Sequence, residues 1–359
     1  MNKGRLLIIA EKEREVYHRF SVILNKHMTV NEFYIVQNPD KPPFLLSRWI
    51  KVIKYFNGTF RTLNPDKVLV CGGSLISVWL FVFLIKLFKK KTEIIFFRYD
   101  IENFRLFPKG FIKKFIRYLI IVLEKFCFLS SHKFIHKGFY DELKMLKFYN
   151  KIKNKPHYLF RDMLDKSLIQ KFGPSKKLSK SDKEIHVVYV GGLNVDDGPD
   201  MPSFWKFIPK ITDQKIHFHV YSRQPRHIIN KLKETEKNNK YFHYEGFVNH
   251  RELIKKMGMY DFSISIVDYK NTPVAWQKSA FGFKILDSIM AGILYIAPNN
   301  LTATAQFLEK NKVGMCYDYS NWYKIKHHIS KIKVKSYQKN FEKYISNYNE
   351  NGLIDFILN

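Results

Sequence analysis

Two strand-like runs that each end in a pair of glycines, "KVLVCGG" at 67–73 and "IHVVYVGG" at 185–192, most constrain the fold of this chain. Each run belongs to a series in which short, uninterrupted apolar stretches alternate with segments of helix length. Strands of a parallel sheet that is covered by helices on both faces have this apolar character, because neither face meets water. The two series therefore predict an α/β chain with two Rossmann-like domains in tandem.

The boundary between the two series is a Lys-rich stretch without periodicity at about 150–183. A loss of hydrophobic periodicity of this kind is typical of a domain boundary. The predicted strands are at 5–10, 31–36, 67–73 and 92–100 in the first series, and at 185–194, 215–223, 241–248, 261–267, 293–298 and 313–319 in the second.

The apolar stretch at 68–91 raises the alternative of a membrane span, since it has about the length that crosses a bilayer. Gly72 and Gly73 divide it into a strand-like run and a helix-length run that carries Lys86, and another strand-like run follows directly. This order favours the strand, turn and buried helix of a βαβ unit. No secretory signal is expected, because charges soon interrupt the first apolar run of the chain.

The balance of charge favours a partner that is rich in phosphate. Lys and Arg outnumber Asp and Glu by 61 to 32, a formal charge of +29. Such a surplus attracts nucleotides, nucleic acid or anionic membrane, and it does not choose among them. Cys71, Cys127 and Cys316 have no metal-ligand spacing, which favours free thiols in a reducing, cytoplasmic compartment. The histidines lack the i, i+4 pairing with an adjacent Glu that metal sites show, so no metal site is predicted.

The segment "SAFGFKILDSIMAGILYIAP" at 279–298 places two charged residues, Lys284 and Asp287, in an otherwise apolar run. A helix with Ser279 as its N-cap would carry both side chains on one face. A bound diphosphate would offset the conflict between Lys284 and the helix dipole, and Asp287 would accept hydrogen bonds from ribose hydroxyls. The alternative is a solvent-exposed ion pair without a ligand. Neither glycine pair belongs to a G-x-G-x-x-G motif, so no nicotinamide or flavin cofactor is predicted.

That segment, together with "HYEGFVNHRELIKKMGMYDFSISIV" and "VVYVGGLN", resembles the C-terminal domain of glycosyltransferases of the "glycosyl transferases group 1" type. The resemblance implies the GT-B fold, in which two Rossmann-like domains face each other across a cleft. Residues 1–165 would form the acceptor-binding domain, and a C-terminal helix at about 340–359 would pack back on it. Residues 166–339 would form the domain that binds a nucleotide sugar.

The resemblance also implies roles for individual residues of the second domain. Asp287 would bind the ribose, Lys284 and the amides near residues 282–283 the diphosphate, and residues 246–248 the edge of the base. The family usually has a basic pair after the first glycines of this domain, but "NVDDGPDM" has none, so Arg223 or Lys284 is the candidate to replace it. The residues implied around the nucleotide sugar are Gly191, Gly192, Arg223, Gly246, Phe247, Val248, Ser279, Gly282, Phe283, Lys284 and Asp287.

A carboxylate of the first domain is expected to accept the proton of an acceptor hydroxyl if the transfer inverts configuration. Asp100, at the end of the predicted strand "TEIIFFRYD", is the first candidate, and Glu102 is the second. The alternative for Asp100 is a helix or turn cap, or an ion pair with Arg98. Many retaining members of the family have two Glu where this chain has Ser279 and Asp287, so a retaining mechanism is not implied. Members of the family generally need no bound metal ion, and no cofactor is expected beyond the donor itself.

These features together predict a glycosyltransferase that moves a sugar from a nucleotide-sugar donor to a glycan or lipid-linked acceptor in surface polysaccharide biosynthesis. A helix with Lys109, Lys113, Lys114 and Arg117 predicts peripheral contact with an anionic membrane at its cytoplasmic face, and the alternative is a solvated helix face over a core. Two other functions stay open: a sugar-nucleotide 2-epimerase of the same fold and a non-enzymatic RNA-binding protein. A nucleic-acid partner is disfavoured because Tyr and Phe follow strand and helix periods rather than the Lys runs.

Overall fold

The structure is a computed structural model that describes residues 4–37, 43–72, 75–98, 101–104, 110–139, 141–161, 164–170, 176–193, 195, 203–266, 274–282 and 284–359. The chain folds into two compact units. Unit 1 comprises Met1–Met163 with Asn349–Asn359, and unit 2 comprises Leu164–Tyr348. Each unit contains a parallel β-sheet with flanking helices, so the prediction of an α/β chain with two Rossmann-like domains is confirmed.

The described residues of unit 1 form one six-stranded parallel sheet. Its strands are β1 (Arg5–Lys12), β2 (Thr29–Val36), β3 (Lys67–Gly72), β4 (Glu93–Arg98), β5 (Lys133–His136) and β6 (His157–Leu159). Its helices are α1 (Glu15–Leu24), α2 (Leu45–Tyr55), α3 (Arg61–Leu63), α4 (Leu75–Phe88), α5 (Phe111–Ser130) and α15 (Asn351–Leu358). The strand order is β2-β1-β3-β4-β5-β6. The central strands β3 and β4 are buried along nearly their whole length, as their unbroken apolar runs predict.

The described residues of unit 2 form a second six-stranded parallel sheet. Its strands are β7 (Ile185–Val190), β8 (Ile216–Tyr221), β9 (Phe242–Gly246), β10 (Phe262–Ile264), β11 (Leu294–Pro298) and β12 (Gly314–Tyr317). Its helices are α6 (Ser179–Asp182), α7 (Phe207–Thr212), α8 (Arg226–Asn238), α9 (His250–Met257), α10 (Val274–Ser279), α11 (Lys284–Met290), α12 (Thr302–Asn311), α13 (Ile325–Ser330) and α14 (Gln338–Asn347). The strand order is β12-β11-β10-β7-β8-β9. Successive strands are added on one side of β7 up to β9 and on its other side from β10, so the order of addition reverses between β7 and β10. Ligands of doubly wound sheets bind at the carboxyl ends of the strands beside such a reversal.

The apolar stretch at 68–91 contains nearly all of β3 and the whole of α4, and residues 73–74 between them lie outside the described residues. One side of α4 is buried at helical spacing through Val78, Phe81, Val82 and Ile85. These side chains cover the sheet, which explains the apolar length of the segment without a bilayer. Among the residues that the structure describes, every helix is too short or too polar to cross a membrane.

Strand β6 forms in the segment that the sequence indicates to be an irregular boundary. Its backbone pairs with β5 in parallel register, with Phe134 opposite His157 and His136 opposite Leu159. All three of its residues are half-buried, because β6 lies at the edge of the sheet. A three-residue edge strand lacks the apolar run that reveals the central strands.

The C-terminal residues divide between the two units. Helix α14 belongs to unit 2, where Phe341 is buried and the Tyr344 ring lies 5.5 Å from that of Phe307. Helix α15 belongs to unit 1, where the Phe356 ring lies 5.6 Å from that of Tyr158. Of residues 340–359, those at 349–359 therefore belong to unit 1 and those before them to unit 2, and the change occurs in the short loop between α14 and α15.

Candidate functional site

The candidate site in unit 2 begins at the carboxyl ends of β7, β8 and β9. Gly191 follows β7 with φ +122°, and Gly246 ends β9 with φ +76°, both in the region that favours glycine. The Gly191 N–H donates to the carbonyl oxygen of Tyr221 at 2.9 Å, and the Ser222 N–H donates to that of Gly246 at 2.8 Å. The three strand ends are therefore tied to one another through their backbones.

The ammonium group of Lys284 lies directly on the glycine turn after β7. A Cβ atom at Gly191 would lie 2.5 Å from Lys284 Nζ and 2.7 Å from its Cε, so only glycine permits this approach. Nζ also lies 4.1 Å from the centre of the Tyr189 ring, whose hydroxyl donates to the Gly192 carbonyl at 2.8 Å. Within the described part of the chain, no carboxylate lies within ion-pair distance of Nζ. The ammonium is thus oriented by an aromatic face and leaves its N–H groups available.

Asp287 lies on the same half-exposed face of α11 as Lys284, while the intervening Ile285 and Leu286 are buried. Its carboxylate Oδ1 is 2.8 Å from Nε2 of His250, the first residue of α9. The Asn249 side chain caps that helix by accepting from a backbone N–H in its first turn, which positions His250. No local sequence pattern indicates His250, because its partner is 37 residues away in the chain.

An exposed aromatic side chain follows β9. Phe247 is 65% exposed, and the guanidinium carbon of Arg223, which follows β8, lies 5.9 Å from the centre of its ring. Val248, the next residue, is half-buried. An exposed aromatic ring beside a guanidinium group offers a flat surface on which a planar ligand could stack.

The prediction that Ser279 caps the helix carrying Lys284 is wrong. Ser279 ends α10, and its hydroxyl donates to the carbonyl of Trp276 at 3.2 Å; α11 begins at Lys284. Phe281, between the two helices, is buried with its ring 5.2 Å from that of Phe307 in α12. Residues 280–282 lie outside both helices.

The residues next to α11 approach the sheet closely. A Cβ at Gly282 would lie 3.2 Å from the hydroxyl of Tyr295 in β11. Burial raises the pKa of Tyr295, which keeps that hydroxyl protonated over the physiological range. Phe283 lies outside the described residues.

The two catalytic candidates have different outcomes. Asp100 lies outside the described residues. Glu102 belongs to a buried ion cluster, since its carboxylate pairs with Arg98 at 3.2 Å and with Arg117. Arg98 also donates to Glu124 at 2.6 Å. The Glu102 carboxylate is thus held between two guanidinium groups. The expectation that Arg117 lies on an exposed helix face is wrong, because this ion pair draws it inward.

No protein-family model matches the sequence, and no curated protein matches it. Sucrose-phosphate synthase from Thermosynechococcus elongatus superposes with a TM-score of 0.71 at 11% identity, over 98% of this chain and 96% of that one. A glycosyltransferase from Rickettsia africae gives 0.59 at 14% identity, over 99% and 97%. A UDP-GlcNAc 2-epimerase from Neisseria meningitidis, bound to UDP-GlcNAc, gives 0.53 at 9% identity, over 94% of both chains. The chain therefore has the GT-B fold that these glycosyltransferases and this epimerase share.

Proposed function

We propose that this chain is a glycosyltransferase that binds a nucleotide sugar at the carboxyl ends of β7, β8 and β9. The sugar would be transferred to a glycan or to a lipid-linked acceptor during the biosynthesis of a surface polysaccharide. One observation carries the proposal: the Lys284 ammonium lies against Gly191 with no acidic partner in the described part of the chain. A diphosphate is the anionic part of a nucleotide sugar, and it would accept the hydrogen bonds that Nζ has available.

The neighbouring side chains suit the remainder of a nucleotide. The Asp287 carboxylate, held by His250 at 2.8 Å, would accept hydrogen bonds from ribose hydroxyls. The ring of Phe247 would stack on the base, with Arg223 beside it. This assignment puts phosphate, ribose and base along the ends of adjacent strands. The fold shared with sucrose-phosphate synthase and a glycosyltransferase supports it.

A thermal-shift series tests the binding part of the proposal. UDP, GDP, CMP and dTDP sugars are each added to the whole protein, and the donor at about 100 times its Kd should raise Tm by about 5–10 °C. Lys284→Ala should reduce that rise by about half or more. Lys278→Ala removes an exposed lysine of the neighbouring helix α10 and is the matched control. A full rise with the Lys284 variant would contradict the proposed phosphate contact.

A sugar-nucleotide 2-epimerase is the second candidate, favoured by the match to the UDP-GlcNAc 2-epimerase over 94% of both chains. An epimerase converts its sugar nucleotide without an acceptor, whereas a transferase consumes the donor only when an acceptor is present. Proton NMR of each sugar nucleotide with the enzyme alone, and then with an extract of lipid-linked saccharides, separates the two. A 2-epimer formed without acceptor would decide for the epimerase.

The acceptor side of the proposal places unit 1 at an anionic membrane on the cytoplasmic face. Helices α2, α4 and α5 form one layer, since the Trp79 ring lies 6.4 Å from Trp49 and 6.5 Å from Phe126. This layer exposes large apolar side chains, among them Leu46, Ile50, Phe83, Leu87, Phe111, Ile112, Phe115 and Leu119. Exposed Lys113 and Lys114 border it. An apolar surface bordered by lysines favours an anionic bilayer surface.

Vesicle flotation tests the membrane contact. The protein should float with vesicles that contain phosphatidylglycerol and remain behind with phosphatidylcholine alone. Phe115→Asp, on the exposed face of α5, should reduce the floated fraction, while Val274→Asp, at an equally exposed apolar position of unit 2, should leave it unchanged. Equal flotation with both lipids, or an equal loss in both variants, argues against this membrane surface.

A further inference from the structure

Four histidines form a continuous group on one face of the unit 2 sheet. His186 in β7 lies opposite His217 in β8, and His219 in β8 lies opposite His243 in β9. Residues two apart in a strand share a face, so all four rings lie on the same side. His186, His217 and His243 are the second residues of their strands and His219 is the fourth of six, whereas Gly191 begins the candidate nucleotide site beyond the carboxyl ends. The group is therefore a separate feature of the same sheet.

Asp182, which precedes β7, places a carboxylate beside two of these histidines at the amino-terminal edge of the sheet. Oδ2 of Asp182 lies 2.8 Å from Nε2 of His186 and 3.8 Å from Nε2 of His217. The two imidazole rings are stacked, 4.4 Å apart and 5° from parallel. For both Nε2 lone pairs to meet at one ion, the more exposed ring of His217 has to tilt toward His186. All three atoms lie within 4.8 Å of one another. Ligands of a tetrahedral zinc ion at bond lengths of about 2.0–2.1 Å lie about 3.3 Å apart, so the two measured distances bracket the required spacing.

A fourth oxygen is available beside these atoms. Oε2 of Glu184 lies 2.6 Å from Nε2 of His217. Lys183, between the two acidic residues, has φ +64° and turns the chain from α6 into β7, while the Glu184 N–H donates to Asp182 Oδ1 at 2.9 Å. The two carboxylates are each about a third exposed and the His186 ring is buried, so an ion could enter from solvent on the carboxylate side.

Each of the two converging imidazoles is held from behind by another histidine. Nδ1 of His186 lies 2.9 Å from Nε2 of His219, and Nδ1 of His217 lies 2.8 Å from Nε2 of His243. Histidines that bind a metal through Nε2 commonly donate a hydrogen bond from Nδ1, which fixes both tautomer and ring orientation. The packing of the sheet supplies that arrangement for both rings.

The chain of contacts behind His186 continues to a second carboxylate. Nδ1 of His219 lies 2.8 Å from Glu245 Oε1, so His186 and His219 lie between the carboxylates of Asp182 and Glu245. With an ion on Nε2 of His186, its Nδ1–H would donate to His219 Nε2, and the Nδ1–H of His219 would donate to Glu245. Each neutral imidazole then keeps one proton, and each contact has one donor.

We propose that Asp182, His186 and His217, with Glu184 as fourth ligand, bind a divalent transition-metal ion of the zinc type. Two imidazoles and two carboxylates suit zinc and also cobalt or nickel. Four protein ligands leave no open position, so the ion joins α6, β7 and β8 structurally and takes no part in sugar transfer. The proposal is independent of the nucleotide site.

Metal titration tests the proposal on the whole protein, purified without a histidine tag and treated with chelator. Isothermal titration calorimetry should show one equivalent of Zn²⁺ bound with a Kd below about 1 µM. Co²⁺ should produce the visible absorption bands of tetrahedral cobalt. Asp182→Asn should weaken Zn²⁺ binding at least 100-fold, because it changes a ligand on the exposed side without emptying the core. Its nucleotide affinity should be unchanged.

Two further variants keep the test decisive if one of them folds poorly. His243→Gln removes only the ring behind His217, and it should weaken Zn²⁺ binding about 10- to 100-fold while circular dichroism stays native. His227→Gln, at an exposed histidine of α8, is the control and should bind Zn²⁺ like the unmodified chain. The proposal is overturned if the unmodified protein binds Zn²⁺ and Co²⁺ more weakly than about 10 µM, or if the Asp182 variant binds them equally well.

Discussion

The contact between Gly191 and Lys284 makes Gly191→Ala a sharp test of the nucleotide site. The new Cβ would lie 2.5 Å from Nζ, well inside the 3.4 Å at which ordinary van der Waals contact begins. The end of the lysine side chain is flexible, so it would retreat by about 0.9 Å rather than unfold the unit. Alanine at φ +122° also carries backbone strain, about 1–3 kcal/mol in the free energy of unfolding.

The larger effect is expected on ligand affinity. A hydrogen bond to a charged group contributes about 1.5–3 kcal/mol, so losing the ammonium from the turn should raise Kd for the nucleotide about 10- to 150-fold. Calorimetric titration measures this change, and urea unfolding without ligand measures the strain separately. In the double variant with Lys284→Ala, affinity should be no weaker than with Lys284→Ala alone, because both substitutions remove the same contact.

The adjacent glycine supplies the control. Gly192 lies outside the left-handed region, and a Cβ there would have no neighbour within 4 Å. Gly192→Ala should therefore leave the Lys284 ammonium in place and the free energy of unfolding nearly unchanged. If Gly191→Ala destabilises as expected yet binds nucleotide normally, Lys284 is not the phosphate contact. If both alanine variants weaken binding equally, the flexibility of the turn, rather than the position of the lysine, governs affinity.

Three further predictions concern other parts of the chain. Asp100→Asn should lower turnover several hundred-fold or more at unchanged nucleotide affinity, and near-normal turnover in steady-state kinetics would remove Asp100 from the role of base. Burial lowers the pKa of His132, whose Nδ1 accepts from the Ile94 N–H at 2.8 Å, so the folded chain holds fewer protons than the unfolded chain below about pH 6.5 and loses stability as pH falls. His132→Asn can accept that bond without titrating and should flatten this slope in urea unfolding; an unchanged slope contradicts it. Phe281→Ala should cost about 3–5 kcal/mol in the same assay, against less than about 0.5 kcal/mol for the exposed Val274→Ala.

The central strands of both sheets are predictable from sequence because burial on two faces removes polar positions from them. β3 and β7 show this in their unbroken apolar runs. The amphipathic and edge elements carry less information. β6 is held by pairing with β5, and its three half-buried residues have no pattern of their own. Tertiary pairing therefore decides where the first sheet ends.

Of the candidate site, the sequence predicts only features that arise within one segment of the chain. The spacing of Lys284 and Asp287 indicates a shared helix face, and both side chains are half-buried on α11. Phe281, just before that helix, packs against Phe307 of α12, a contact that local capping patterns do not contain. The His250 partner of Asp287 likewise depends on the approach of α9 to α11. In the sequence, the alternation of His217 and His219 indicates two histidines on one face of a strand. It does not show which neighbouring strands carry the other two histidines of the group.

The two candidates for the missing basic pair after β7 lie in different places. Arg223 lies over the Phe247 ring, at the ends of β8 and β9, whereas Lys284 reaches back from α11 to the turn after β7. Two features of the turn make this reach possible: glycine leaves room for the amine, and the Tyr189 ring attracts it at 4.1 Å. A positive charge can therefore occupy the glycine turn without a basic residue in the loop that follows it. On this argument Tyr189→Leu, which keeps an apolar side chain but removes the aromatic face, should weaken nucleotide binding through Lys284 and have no further effect when Lys284 is already alanine.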